Sequence, residues 1–125
     1  MNAALRLLVL LLGVLFLVMG LRWLLAPQGI APDFGLALQS GVGLSSQIGD
    51  MAAFFLLLGI CIFTALVTQR RFWYYPPMIL LTLTALSRVL AWLMHDAALP
   101  MNLITPEIVV ALVLWVASRH LSDRD

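Results

Sequence analysis

The sequence reads as an all-α integral membrane protein, a four-helix bundle with both termini cytoplasmic. Four long apolar stretches carry that reading, with a composition that no small soluble core could hide and arginines that gather on one side of a four-span arrangement. Of 125 residues, 63% are hydrophobic and 10% charged, against about 45–50% and about 25% in an ordinary soluble domain. The mean hydropathy is +1.06. A chain this short cannot bury so much apolar surface within itself, so lipid is the solvent for much of it and the bilayer its first partner. A net charge of +1 argues against the basic surface that nucleic-acid binding uses. Cys61 is the single cysteine, which leaves no intramolecular disulfide and no thiolate cluster; in mid-span it reads as a small buried residue. No internal repeat or low-complexity segment divides the chain, so residues 1–125 form one domain.

The first span runs over about 7–25, preceded by Arg6 and ended by Ala26-Pro27. A secretory signal peptide is the rival reading. The apolar run is long for one, Leu24 takes the position where a small residue is expected, and Pro27 would follow the cut, so the segment reads as an uncleaved helix. Gly13 and Gly20, seven apart, share a helix face and suit a close helix contact. The second span, about 48–68, stops at Gln69-Arg70-Arg71. The third, about 75–94, opens on Pro76-Pro77, which a first helical turn tolerates. The fourth, 106–119, begins with Thr105 as N-cap, Pro106 at the first helical position and Glu107 at the positive end of the helix dipole.

That fourth helix is short. Even from Pro106 to Leu121 it has 16 residues, where about 20 cross a bilayer. Either the bilayer thins or the helix starts below the outer surface. The apolar segment 97–104 suits a piece of chain that dips into the membrane and covers that start.

Arg6, Arg70, Arg71, Arg119 and Arg124 fall on one side, which the positive-inside rule makes cytoplasmic. Trp73, Tyr74 and Tyr75 read as an aromatic anchor at the inner interface and Trp23 as a marker of the outer one. The loop 28–47 is then outside, with Leu36-Ala37-Leu38 on the membrane surface. A bacterial inner membrane is the expected location.

The other charges, Arg22, Asp50, Arg88, His95, Asp96 and Glu107, all belong to the outer half. An intramembrane charge costs roughly 2.5–3.5 kcal/mol on insertion scales, so each is a candidate for function. Arg88 precedes Asp96 by eight residues and lies roughly 10–12 Å deeper. Thr84, Arg88, Ala91 and His95 share one face, as do Glu107, Ala111, Leu114 and Ser118. Asp50, Leu57, Cys61, Thr64 and Thr68 offer a comparable stripe. If these faces meet, Arg88 is neutralised by Glu107 and Asp50. Arg22 is near enough to the surface to snorkel. Glu107 and Asp50 each admit a simpler reading as first-turn acids, and the whole set admits one as a structural ion-pair network. His95 and His120 sit at opposite helix ends and cannot share a metal within one protomer. No phosphate-binding glycine loop, zinc spacing, nucleophile elbow or metalloprotease motif is present, and neither a catalytic residue nor a cofactor is implied.

Gly20 followed by Trp23-Leu24-Leu25-Ala26-Pro27 resembles the end of the first helix in small DoxX-like four-helix membrane proteins. Leu86-Ser87-Arg88-Val89-Leu90, then His95-Asp96, then Pro106-Glu107-Ile108-Val109 is similar to the pattern of a DoxX-like branch known as a domain of unknown function. That pattern has an Arg late in the third helix, an Asp at its end and a Glu opening the fourth. Ser87 and Ala97 stand where glycine is common in the branch, and Gly49-Asp50 where a Gly-Gly pair is. The resemblance implies a four-helix bundle and an important Arg88–Glu107 pairing, and no reaction.

Two functions are expected from different classes. One is an outer-half polar pocket for an apolar or amphipathic molecule of lipid or quinone type, bound by Arg88 and Glu107, then Asp50, with Asp96 and Arg22 at its edge. The other is a non-catalytic accessory subunit, packing through Phe54, Phe55, Phe63, Trp92 and Trp115 on a larger redox or transport complex or on further copies of itself. DoxX-like relatives include accessory subunits of membrane redox systems. An isomerase- or transporter-like activity is a third, weaker reading.

Overall fold

The computed structural model describes residues 2–123; Arg124, read above as a cytoplasmic charge, lies outside the described residues. Four long helices form the molecule: α1 (Asn2–Leu25), α3 (Gly41–Thr68), α4 (Tyr75–His95) and α5 (Met101–His120). A short α2 (Pro27–Ile30) and a turn of 3-10 helix (Ala31–Phe34) fold back at the end of α1, and a second 3-10 turn (Arg71–Tyr74) leads into α4. There is no strand among the described residues. Each long helix is long and apolar enough to cross a membrane.

The outward faces are apolar on all four: Leu11 is 56% exposed, Ile60 56%, Ile79 57% and Leu112 59%. In water such a surface would aggregate; in hydrocarbon it is the ordinary outside of a span. By length and composition the chain is a multi-pass membrane protein.

The helices associate as two pairs, α1 with α3 and α4 with α5, and the pairs meet more loosely. Small residues set the first pair. A Cβ built on Gly59 would stand 2.6 Å from Leu17 Cγ and 3.1 Å from the Gly13 carbonyl oxygen, and one on Gly20 would stand 2.7 Å from Leu56. Without a hydrophobic drive between helices in lipid, such close backbone approach is what holds them.

The end of α3 and the end of α5 lie at one end of the bundle. There Arg71 Nε donates to the Ser118 carbonyl at 2.9 Å and the Asp123 N–H donates to the Gln69 carbonyl at 3.0 Å, tying the α3–α4 turn to the end of α5.

Several elements differ from the sequence reading. α3 begins at Gly41, seven residues earlier than expected, within the Gly- and Ser-rich stretch taken for loop. Gln47 explains this locally: its Oε1 accepts from the Gln39 N–H at 2.8 Å and its Nε2 donates to the Ala37 carbonyl at 3.0 Å, fastening the preceding loop to the new turns. α5 begins at Met101, so Pro106 is inside the helix and Thr105 is not its cap. Half of the segment expected to dip as irregular chain, 101–104, is the first turn of α5, and the apparent shortfall in length disappears, since α5 has 20 residues. Trp23 is fully buried rather than interfacial, because the fold-back after α1 covers it, with the Phe34 ring 6.3 Å away. Tyr74 is also fully buried, which removes it from the inner aromatic anchor. Leu36 and Leu38 are half-buried against the core.

Candidate functional site

Two of the deep charges meet. Arg88 Nε donates to both oxygens of Glu107, at 3.1 Å to Oε1 and 3.3 Å to Oε2. Arg88 lies seven residues before the end of α4 and Glu107 six residues after the start of α5. At 1.5 Å per residue both are roughly 10 Å from the same end of the bundle, so antiparallel packing brings them level. The Arg88 side chain is 25% exposed and that of Glu107 12%. Glu107 is past the first turn of its helix, which sets aside its reading as an N-terminal capping acid. Both hydrogen bonds run through Nε. The terminal amino groups of Arg88 find no protein acceptor among the described residues.

Arg88 and Glu107 line a cavity of about 400 Å³ between the two helix pairs, almost wholly through their carbon atoms. Among the described residues, Arg88 and Glu107 are its only charged lining residues, and Thr84 is the only other polar one. The Thr84 hydroxyl is committed as a donor to the Leu80 carbonyl at 2.7 Å. The rest is apolar, and four phenylalanines dominate it: Phe16 of α1, Phe34 of the fold-back, and Phe54 and Phe55 of α3. Their rings pack on one another, with centroids 5.0 Å apart for Phe54–Phe55, 5.4 Å for Phe34–Phe55 and 6.2 Å for Phe16–Phe55. The arrangement is an apolar chamber with one ion pair in its wall.

The structure does not bring Asp50, Asp96 or Arg22 to this place. Asp50 is exposed: the stripe it shares with Cys61, eleven residues on and about 20° round the helix, is covered at Cys61 and open at Asp50. Asp96 ends α4 in the left-handed conformation (φ 56°), which Asp tolerates better than most residues. Its side chain is exposed. Arg22 donates to the Gly29 carbonyl at 3.0 Å and so holds the fold-back rather than a ligand site. Asp50→Asn is accordingly expected to change unfolding stability by less than about 0.5 kcal/mol. Asp96→Val, which forces a β-branched residue into positive φ, is expected to cost about 1–2 kcal/mol. Equilibrium unfolding in mild detergent measures both.

Of the residues expected on an outer contact face, Phe55 is 4% exposed and lines the cavity, while Phe63 packs against Gly13. Trp92 and Trp115 are exposed, at 45% and 48%, near opposite ends of the bundle. Sequence reasoning missed the aromatic wall altogether. Phe34, in the segment taken for outer loop, was the least accessible to it; a phenylalanine between Asp33 and Gly35 was the available signal.

The fold and site together define a multi-pass four-helix protein with a largely apolar cavity and a half-buried Arg–Glu pair in its wall. Comparison with protein-family models, with curated proteins and with solved structures finds no match.

Proposed function

We propose that this protein binds an apolar or amphipathic molecule of lipid or quinone type in the cavity between its helix pairs, with the head group at Arg88 and Glu107. The observation that carries this is an apolar chamber of about 400 Å³ between the helix pairs with the Arg88–Glu107 ion pair in its wall. Pockets for small ligands combine apolar walls with a few placed polar groups in this way, and span about 300–1,000 Å³. Leu15 of α1 and Pro106 of α5 are exposed members of the lining, so the ligand enters sideways from the bilayer between these two helices.

The DoxX-like resemblance around Arg88 and Glu107 supports the same pair. Both termini are placed in the cytoplasm of a bacterial cell, on the side that Arg6, Arg70, Arg71 and Arg119 mark, which sets the cavity in the outer half of the inner membrane.

The test is purification with native lipids, comparing co-purifying small molecules between the wild type and the Arg88→Leu and Glu107→Gln variants. A molecule present at near-stoichiometric amount in the wild type and depleted at least tenfold in both variants is the expected result. Identical extracts from all three would refute the pocket.

A further inference from the structure

We infer that the chamber holds one acyl chain of a membrane lipid, lying along the bundle axis, and that it selects for the chain and not for the head group. This rests on the pocket reading above and assigns the chamber to the lipid tail. The chemistry of the walls decides the first half. Four phenylalanines and two methionines lead the lining, and its surface is almost wholly carbon even where Arg88 and Glu107 contribute to it. The Thr84 hydroxyl is spent on the Leu80 carbonyl at 2.7 Å. A polar molecule entering such a chamber gives up its hydrogen bonds and gains none from the walls, a cost that hydrocarbon does not carry. Left empty, the walls would forfeit dispersion contacts that a chain restores.

Shape and access decide the second half. The lining includes Leu81 and Arg88 on α4, and Leu103 and Val110 on α5. Each pair is seven residues apart on one helix face, so the chamber extends about 10 Å along the bundle. That is the direction in which the chains of a surrounding bilayer lie. Met19 and Met51, unbranched and flexible, let the walls follow a chain whose conformation varies. Leu15 and Pro106 are exposed members of the lining, on α1 and α5, so the mouth opens toward lipid. With walls of carbon, nothing in the chamber recognises a scarcer molecule by its polar groups. Mass action then gives it to the hydrocarbon in greatest excess, the acyl chains of the bilayer.

The experiment uses the full chain in nanodiscs of zwitterionic lipid, doped in turn with three molecules carrying a photoactivated diazirine midway along the tail: a phosphatidylcholine, a phosphatidylglycerol and a prenyl-chain benzoquinone. Peptide mass spectrometry reads the insertion sites. Leu81 and Phe55, 2% and 4% exposed, are shielded from lipid on the outside of the bundle, whereas Ile79, 57% exposed, reports that outside. Both phospholipids are expected to label Leu81 and Phe55, to extents within twofold of each other. Val110→Trp, which puts a larger side chain into the chamber, is expected to cut that labelling at least fivefold and leave Ile79 unchanged. A tenfold difference between the two phospholipids overturns the inference, since the head group would then select. Labelling of Leu81 and Phe55 by the quinone alone also overturns it and leaves the pocket standing. Labelling of Ile79 by all three molecules, with none at Leu81 or Phe55, overturns the pocket itself. Should the variant not fold, the wild-type pattern decides alone.

Discussion

Arg88→Leu is expected to lower folding stability by about 3 kcal/mol, and the double variant Arg88→Leu/Glu107→Leu to return to within about 1 kcal/mol of the wild type. The reasoning is asymmetric. The single change leaves Glu107, whose side chain is 12% exposed, without its partner in a low-dielectric wall. The second change replaces both charges with apolar groups that need no partner. Breaking one side of a buried pair typically costs about 3–5 kcal/mol, whereas replacing the whole pair by hydrocarbon is often neutral or better. The lower end applies here because Arg88 is 25% exposed and some water reaches it. Unfolding of the purified variants in a mixed-detergent titration measures both values. A double variant as unstable as the single one would show that the pair holds α4 and α5 together by itself, and would remove the reason to regard it as kept for binding.

How much of this could be read from the chain follows from contrast. Arg88 and Glu107 stood out because a charge in an apolar run is costly and rare, and helix spacing alone placed them level. The same spacing put Asp50 on one stripe with Cys61, which is indeed buried, but Asp50 lies nearer the start of α3, where that stripe is exposed. The glycines were visible as small residues on one side of α1, but their partner, Gly59, carried no mark in a span where every neighbour is apolar. The phenylalanine wall was invisible for the same reason, since inward and lipid-facing positions in such a helix have alike side chains. Thr105-Pro106-Glu107 is a persuasive helix start, yet Pro100 stands one turn and a half earlier, and the residues between could continue the helix. A proline at the sixth helical position removes one hydrogen bond, to the Asn102 carbonyl, and leaves the rest of the helix intact.

The contact between α1 and α3 sets up the other large effect. Gly59→Leu is expected to destabilise the bundle by about 3 kcal/mol or more and Gly59→Ala by about 1–3 kcal/mol, the range for overpacking a close-fitted interior. Leu17, whose Cγ would lie 2.6 Å from the new Cβ, can rotate away, but the Gly13 carbonyl oxygen at 3.1 Å belongs to the α1 backbone. Relief therefore requires the two helices to move apart. Phe16 and Phe55, which stack across this same pair with centroids 6.2 Å apart, would separate with them, so the cavity wall should open as stability falls. Gly49 supplies the control on the same helix. A Cβ there meets nothing within 4 Å, and Gly49→Ala is expected to stabilise by about 0.5–1 kcal/mol through helix propensity alone. The contrast between Gly59 and Gly49, measured in one unfolding assay, separates helix packing from helix propensity. Equal effects at the two sites would mean that the close approach of α1 and α3 does not hold the fold.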